Sequence, residues 1–169
     1  MPPLITEADL EDAVLTRLDL LGSRVEGVKR SFKGAPAVAV RPSDLPCVYT
    51  LTGNRVAPTA EAAGQFAVIR NFVMVLLLKP ITGGINDPET GAEAYSMGVP
   101  FLSRFSLFFA RRLNLQDHDT PALRGTSLVS ILDGGIRSRA APGGKLHSAI
   151  DFTLTITMVF RADQIAAPF

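Results

Sequence analysis

The sequence predicts an α+β fold, in which two α-helices pack on one face of an antiparallel or mixed β-sheet. Three patterns support this prediction. Apolar residues recur at helical spacing near the N-terminus. They occupy most positions of a segment in the middle that is rich in β-branched residues, and they alternate with polar residues near the C-terminus. The resulting order is helix, strands, helix and strand pair. A chain of 169 residues suits one domain, here residues 1–169.

The first helix is predicted for residues 6–21. Thr6 can cap this helix, and Asp9 occupies the position of the acid in a capping box. The apolar stripe of the helix consists of Leu10, Val14, Leu18 and Leu21. Gly22 then provides a residue type that commonly ends a helix.

Short strand-like segments follow at residues 24–32, 37–40 and 46–51, and Gly53 and Asn54 are predicted to end the last of them.

The strongest predicted strand covers residues 65–79, where apolar side chains occupy both alternating faces. A strand of this kind is covered on both faces. We expect the helices to cover one face, and either a second layer or another subunit to cover the other.

A long irregular loop is predicted for residues 80–93, and loops of this length in a compact domain are usually functional or mobile. A second helix is predicted for residues 94–113. Its buried stripe would be Leu102, Phe105, Phe109 and Leu113. Regular helix is expected only from near Pro100, because proline is tolerated in a first turn.

The last two strands are predicted at residues 127–132 and 148–161, and the second shows the cleanest apolar–polar alternation in the chain. The Asp-Gly-Gly run at residues 133–135 is expected to end the first of these strands. A basic, glycine-rich hairpin over residues 133–147 would then join them as an antiparallel pair.

The composition excludes several classes of function. The formal charge of +1, from 17 basic and 16 acidic residues, argues against a general phosphate-binding surface. One cysteine and two histidines make a poor zinc set. Neither a signal peptide nor a membrane span is expected, since the longest apolar run is residues 72–78. Cys47 on its own fits a reducing compartment.

Four local patterns could suggest chemistry, but each has a plainer interpretation. The Asp-His-Asp run at residues 117–119 is best read as a solvated loop, since neighbours on an extended chain point in opposite directions. His147 and Ser148 make a poor nucleophile–base pair for the same reason. The Gly-Gly-Lys run at residues 143–145 lacks the rest of a phosphate-loop motif, and Cys47 reads as a small core residue. We therefore predict no catalytic, cofactor-binding or metal-binding residues and no cofactor.

Two features indicate surface contacts instead. Arg137, Arg139 and Lys145 can form a local basic patch. The phenylalanines near residues 101–109 exceed what one helical face needs, so one of these rings could serve a contact between subunits.

The chain resembles the tail-terminator and tail-completion proteins of long-tailed bacteriophages. The opening segment Ile-Thr-Glu-Ala-Asp-Leu-Glu-Asp-Ala-Val, residues 5–14, looks like the first helix of that family. The segment Arg-Pro-Ser-Asp-Leu-Pro-Cys-Val-Tyr, residues 41–49, leads into a strand in a similar way. A long apolar strand, an irregular loop, a second helix and two C-terminal strands complete a similar order of elements.

The resemblance implies a non-catalytic virion protein, assembled in the host cytoplasm and located in the tail or neck. It would form a ring, usually a hexamer, that caps the tail tube, stops tube polymerisation and provides the surface for joining the head. The implied partners are other copies of the chain, the tail tube protein and a head-completion or neck protein. DNA would pass through the lumen without specific binding, and no membrane is involved.

On this hypothesis we expect subunit or partner contacts at Phe72, Met74, Ile85, Asn86, Phe101 and Phe108. The residues expected to face the lumen and its DNA are Arg137, Arg139 and Lys145. Two alternatives stay open. One is a head-closure or head–tail connector protein or a tail tube subunit; the other is a small α+β enzyme or ligand-binding domain that uses residues 117–119 and His147.

Overall fold

The computed structural model describes residues 6–56, 59–61, 65–116 and 123–161. Within these residues, the two α-helices are α1 (Glu7–Gly22) and α2 (Pro88–Ala110). The strands are β1 (Arg30–Phe32), β2 (Cys47–Arg55), β3 (Thr59–Glu61), β4 (Gln65–Pro80), β5 (Ser127–Ala140) and β6 (Leu146–Arg161). The predicted α+β class is confirmed.

The strands form one mixed sheet in the order β1-β2-β4-β6-β5, with β3 also pairing with β4. Only β1 and β2 run parallel; the other pairs are antiparallel. The strand predicted at residues 65–79 therefore lies at the centre of the sheet, between β2 and β6. The predicted pairing of the two C-terminal strands is also confirmed.

Helix α1 begins as its sequence predicts. The Thr6 hydroxyl accepts the backbone N–H of Asp9 at 3.1 Å, and the Asp9 carboxylate accepts the backbone N–H of Thr6 at 2.8 Å. The side chains of Leu10, Val14, Leu18 and Leu21 are buried against the sheet. Arg70 of β4 forms ion pairs with Glu7, at 3.2 Å, and with Glu11. These contacts join the first two turns of α1 to the centre of the sheet.

Helix α2 corrects the prediction that regular helix begins near Pro100. It begins at Pro88, where the Asp87 carboxylate accepts the backbone N–H of Thr90 at 3.0 Å. Pro100 lies inside the helix, although an internal proline costs about 3 kcal/mol. Buried side chains on both sides of it, including Ala94 and Phe105, hold the two halves against the sheet and offset this cost.

The irregular connection before α2 is accordingly shorter than the predicted loop at 80–93 and covers only residues 81–87. Residues 24–29 and 37–40 are not strands, so of the first predicted segment only Arg30–Phe32 pairs in the sheet.

Two strands are longer than predicted because irregular pairing carries them past glycine. Strand β2 continues through Gly53 to Arg55 by a shift in its register with β4. Strand β5 passes through Asp133 and Gly135 by a second shift and ends at Ala140. The predicted hairpin at residues 133–147 is thus mostly strand, and its turn is residues 141–145.

Both helices pack on the same face of the sheet, as predicted. The core on this face includes a parallel stack of Phe105 on α2 against Phe152 on β6, with ring centroids 4.4 Å apart. The opposite face has a smaller apolar cluster at one end, where Leu45 and Ala141 from loops cover Val75 and Leu77 of β4. Beyond this cluster the middle of that opposite face, at residues 69–73 of β4 and 153–157 of β6, is half-buried at the outward-pointing positions.

Candidate assembly surfaces

Three of the six predicted contact residues are in the core, so their prediction is wrong. Phe72 and Met74 of β4 are 0% exposed, and Phe101 of α2 is 6% exposed, all within the cluster between helices and sheet. A side chain that is enclosed by its own chain offers no surface to a second subunit. The error arises because β4 is apolar on both faces, and the sequence does not say which of them the helices cover.

The other three predicted contact residues keep some accessible surface. Phe108 is half-buried, with its ring edge-on to Phe109 at 5.4 Å and the Arg112 guanidinium 3.7 Å above it. Ile85 is half-buried, and its backbone N–H donates to the Ser138 hydroxyl at 3.0 Å. Asn86 is exposed. The connection before α2 is therefore fastened to β5, and it does not project as a free arm.

Sequence reasoning missed the outward side of α2, which we name the α2 outer face. Its exposed members are Ala92, Tyr95, Ser96, Val99, Ser103, Leu107 and Ala110, with half-buried Ser106 among them. Tyr95 is 58% exposed and Leu107 is 60% exposed. None of these residues is charged, whereas the outward side of a surface helix usually is. The signal was available in the sequence, because Arg104 is the single charged residue between positions 94 and 110.

A second uncharged surface lies on the side of the sheet away from the helices, and we name it the open sheet face. It is formed by Ile69, Asn71 and Val73 of β4, Thr153, Thr155 and Thr157 of β6, and Ser130 and Leu132 of β5. The Thr155 hydroxyl donates to the Asn71 side-chain oxygen at 3.1 Å. Leu132 is 66% exposed. This surface combines hydroxyl groups with half-buried aliphatic side chains and the exposed Leu132.

The predicted basic patch lies at one end of the open sheet face and is partly neutralised. Arg137 and Arg139 of β5 both donate to the same oxygen, Oδ2, of Asp151 on β6. The Asp151 side chain is 5% exposed, and its other oxygen has no hydrogen-bond partner within the described part of the chain. The three groups together carry a charge of +1 and not +2. Lys145 is exposed in the turn before β6.

In the described part of the chain, both lateral edges of the sheet include strand residues that have no neighbouring strand on their outer side. On one side, β5 forms the edge, and within the described ranges only its start is bridged, by Asn114 to Ser127. On the other side, β1 covers Cys47–Tyr49 of β2 and leaves residues 50–55 without a further strand among the described residues. Free edges are where a sheet can accept another strand.

The residues considered for chemistry are not arranged for it. Burial raises the pKa of the Cys47 thiol to about 12, so the thiolate that reacts as a nucleophile is disfavoured. His147 is buried, with Nδ1 3.0 Å from the Lys145 carbonyl oxygen, and Ser148 is buried beside it on the strand. Within the described ranges, no three His, Cys, Asp or Glu side chains are grouped to hold a metal ion. The run at 117–119 lies outside the described residues.

Comparison with protein-family models and with curated proteins found no match to this chain. Among the described residues, neither helix combines the length and the apolar character that crossing a bilayer requires.

Proposed function

We propose that this protein is a structural component of a bacteriophage virion that caps the tail tube as an oligomeric ring. In this role it ends tube polymerisation and provides the surface to which the head is joined. The proposal combines the resemblance of residues 5–14 and 41–49 to tail-terminator proteins with the layout of the subunit's surfaces. The proposed role needs neither a catalytic group nor a cofactor.

The observation that carries the proposal is the pair of free sheet edges on opposite sides of one subunit. Edge β5 of one copy can pair with residues 50–55 of the next, so that two different surfaces meet at every contact. Such head-to-tail contacts close into a ring when the rotation per subunit allows it. Hydrogen bonds between strands satisfy the backbone groups that each edge leaves open.

We assign the open sheet face to the lumen of this ring. A passing DNA duplex is held back mainly by cations that neutralise its phosphates, because each such contact adds salt-dependent affinity. Hydroxyl groups at Thr153, Thr155 and Thr157 add no such attraction. Asp151 reduces the charge of the Arg137–Arg139 pair, which suits a channel that conducts DNA without retaining it.

The defining experiment is electron microscopy of particles assembled without the protein, together with tube polymerisation in vitro. We expect overlong tubes in its absence, and tubes of reduced length with bound rings when the purified protein is added. Tubes whose length and ends are unaffected by the protein would refute the capping role. Normal tails beside DNA-filled heads that lack tails would favour the alternative, a head-closure or head–tail connector protein.

The lumen assignment has its own test within the same particles. Thr155→Arg places a cation at the centre of the open sheet face, whereas Val38→Arg places one in an exposed loop between β1 and β2. We expect both variants to form rings, and only Thr155→Arg to gain salt-sensitive DNA binding and to slow DNA release. Equal behaviour of the two variants would exclude the open sheet face as the lumen wall.

A further inference from the structure

The α2 outer face leaves large apolar side chains in water on the side of the molecule that faces away from the sheet. Tyr95, Val99 and Leu107 are each about half exposed or more, at 58%, 49% and 60%. They form part of a single surface because they recur at intervals of four and eight residues along one helix. Exposed apolar surface arranged in this way marks a site of contact with another molecule.

Charge at the two ends of this surface indicates what the other molecule is. Glu89 is exposed in the first turn of α2, and Arg111 is exposed at its C-cap. Between them the α2 outer face is uncharged, and Glu93, which is exposed on its flank, forms an ion pair with Lys79 of β4. If two copies of the helix lie antiparallel, Glu89 of one copy approaches Arg111 of the other at both ends. The two helix dipoles then also oppose each other favourably.

The spacing of the face fits the same arrangement. An antiparallel pair centred on position 101 sets position 92 opposite 110, 96 opposite 106, and 99 opposite 103. These positions follow the alternating spacing of four and three residues at which two helices pack side by side. They hold alanine, serine and valine, which allow close approach. Tyr95 and Leu107 lie on opposite flanks of this line and can each cover part of the facing helix.

We propose that the α2 outer face binds the α2 outer face of a second copy of this chain, as an antiparallel helix pair with two-fold symmetry. This contact differs from the edge-to-edge contact of the proposed ring, and it does not depend on the ring. Such a pair joins two free subunits, or two assemblies, through the side opposite the open sheet face.

The size of the surface sets the expected affinity. From Ala92 to Ala110 the helix rises about 27 Å, and a strip about 10 Å wide gives roughly 300 Å² on each copy. Stable dimers bury about 800 Å² per partner. The helix pair is therefore a weak dimer, with a dissociation constant on the order of 100 μM.

Sedimentation over concentrations from about 10 μM to about 1 mM tests the association. Leu107→Glu inserts two carboxylates into each pair, and we expect it to weaken dimer formation by about 100-fold. Val38→Glu is the matched control, since Val38 is 74% exposed in a loop away from α2. A wild-type chain that stays monomeric throughout, or equal effects of the two variants, would overturn the proposal.

Disulfide cross-linking tests the antiparallel register, even where the wild-type chain already forms larger assemblies. The double variant Ala92→Cys/Ala110→Cys should give covalent dimers on mild oxidation, because positions 92 and 110 of different copies face each other. Within one chain they are about 27 Å apart and cannot bond. Each single variant should give none. Cross-linking by either single variant would show a parallel contact and refute the two-fold pair.

Charge exchange provides a test that folding defects cannot imitate. Glu89→Arg and Arg111→Glu should each weaken the dimer, and the double variant should restore it. Both changes oppose the dipole of α2, so the double variant is expected to be the least stable helix of the three. Recovered association therefore has to come from the contact between copies. A double variant weaker than either single variant would contradict the proposed pairing.

Discussion

Substitution of Gly98 by alanine tests whether close approach of α2 to the sheet is required by the fold. A Cβ atom at position 98 would lie 2.6 Å from Cδ1 and 2.9 Å from Cγ1 of Ile136, and 3.2 Å from Cδ1 of Leu78. The helix itself favours alanine over glycine by about 1 kcal/mol. Overpacking of a close contact costs about 1–3 kcal/mol, and this contact is shorter than ordinary packing allows. We expect the clash to exceed the gain in helix propensity.

With the upper part of the overpacking range, about 2–3 kcal/mol, and a gain of about 1 kcal/mol in helix propensity, the expected net loss is about 1–2 kcal/mol in the free energy of unfolding. For a chain of this size, that corresponds to a fall of roughly 3–6 °C in Tm. Urea unfolding followed by circular dichroism measures this loss of stability, and we expect the variant to have the same m-value as the wild type. Ser103→Ala on the α2 outer face is the matched control, because it improves helix propensity without a contact and should raise stability by about 0.5 kcal/mol.

A double-mutant cycle identifies the cause of the loss. Ile136→Ala removes both of the nearest atoms, so Gly98→Ala should cost less in that background, by about 1–2 kcal/mol. A Gly98→Ala variant that is as stable as the wild type would refute the argument that α2 and β5 approach too closely for a side chain. If the two substitutions show no coupling, the loss of stability in Gly98→Ala does not come from its contact with Ile136.

Three further outcomes are expected. The Cys47 thiol, whose pKa is raised to about 12 by burial, should react with a thiol reagent at pH 8 only at the rate of unfolding; rapid reaction of the native chain would contradict its burial. The pKa of Asp9 is lowered mainly by the side-chain hydrogen bond from Thr6, and that of Asp87 mainly by the backbone hydrogen bond from Thr90. Both carboxylates therefore stabilise the fold fully at pH values above 3.8, which is their pKa in the unfolded chain. This stabilisation is lost as the pH falls from 3.8 through the lower pKa values of the folded chain. The Asp9→Asn/Asp87→Asn variant should show a smaller fall in Tm between pH 6 and pH 3 than the wild type, and an equal fall would contradict the capping role. Asp151→Ala leaves two arginines without their buried partner and should cost about 2–3 kcal/mol in urea unfolding. Arg137→Ala should cost less than about 1 kcal/mol, because the Arg137 side chain is half exposed and Arg139 still pairs with Asp151. If Asp151→Ala and Arg137→Ala destabilised the fold equally, Arg137 and Arg139 would not share the Asp151 carboxylate.

The elements with a regular pattern and local end signals were predictable from the sequence. Helix α1 combines the Thr6–Asp9 capping box with an apolar stripe, and both act within a few residues of chain. Strand β6 alternates throughout residues 148–161 and pairs as expected. Strand β4 was located nearly to the residue, because apolar side chains on both faces can be satisfied only at the centre of a sheet.

The errors occur where local signals compete with contacts from elsewhere in the chain. Glycine and proline usually mark the ends of helices and strands, but Gly53, Gly135 and Pro100 each lie inside one. Neighbouring strands hold the first two by irregular pairing, and packing against the sheet holds the third. None of these partners is near in sequence, so the local pattern alone could not locate the ends of β2, β5 and α2.

The sequence by itself determined the α+β class, the order of the main elements and the near-neutral charge, because these depend on periodicity and composition. Only the tertiary structure decided which apolar residues are available to a partner. Phe72 and Met74 were expected at an interface, yet the helices enclose them, while Tyr95, Val99 and Leu107 remain in water. A helix covers one face of a strand and exposes one face of itself, and that choice of face is made by the packing of the whole chain.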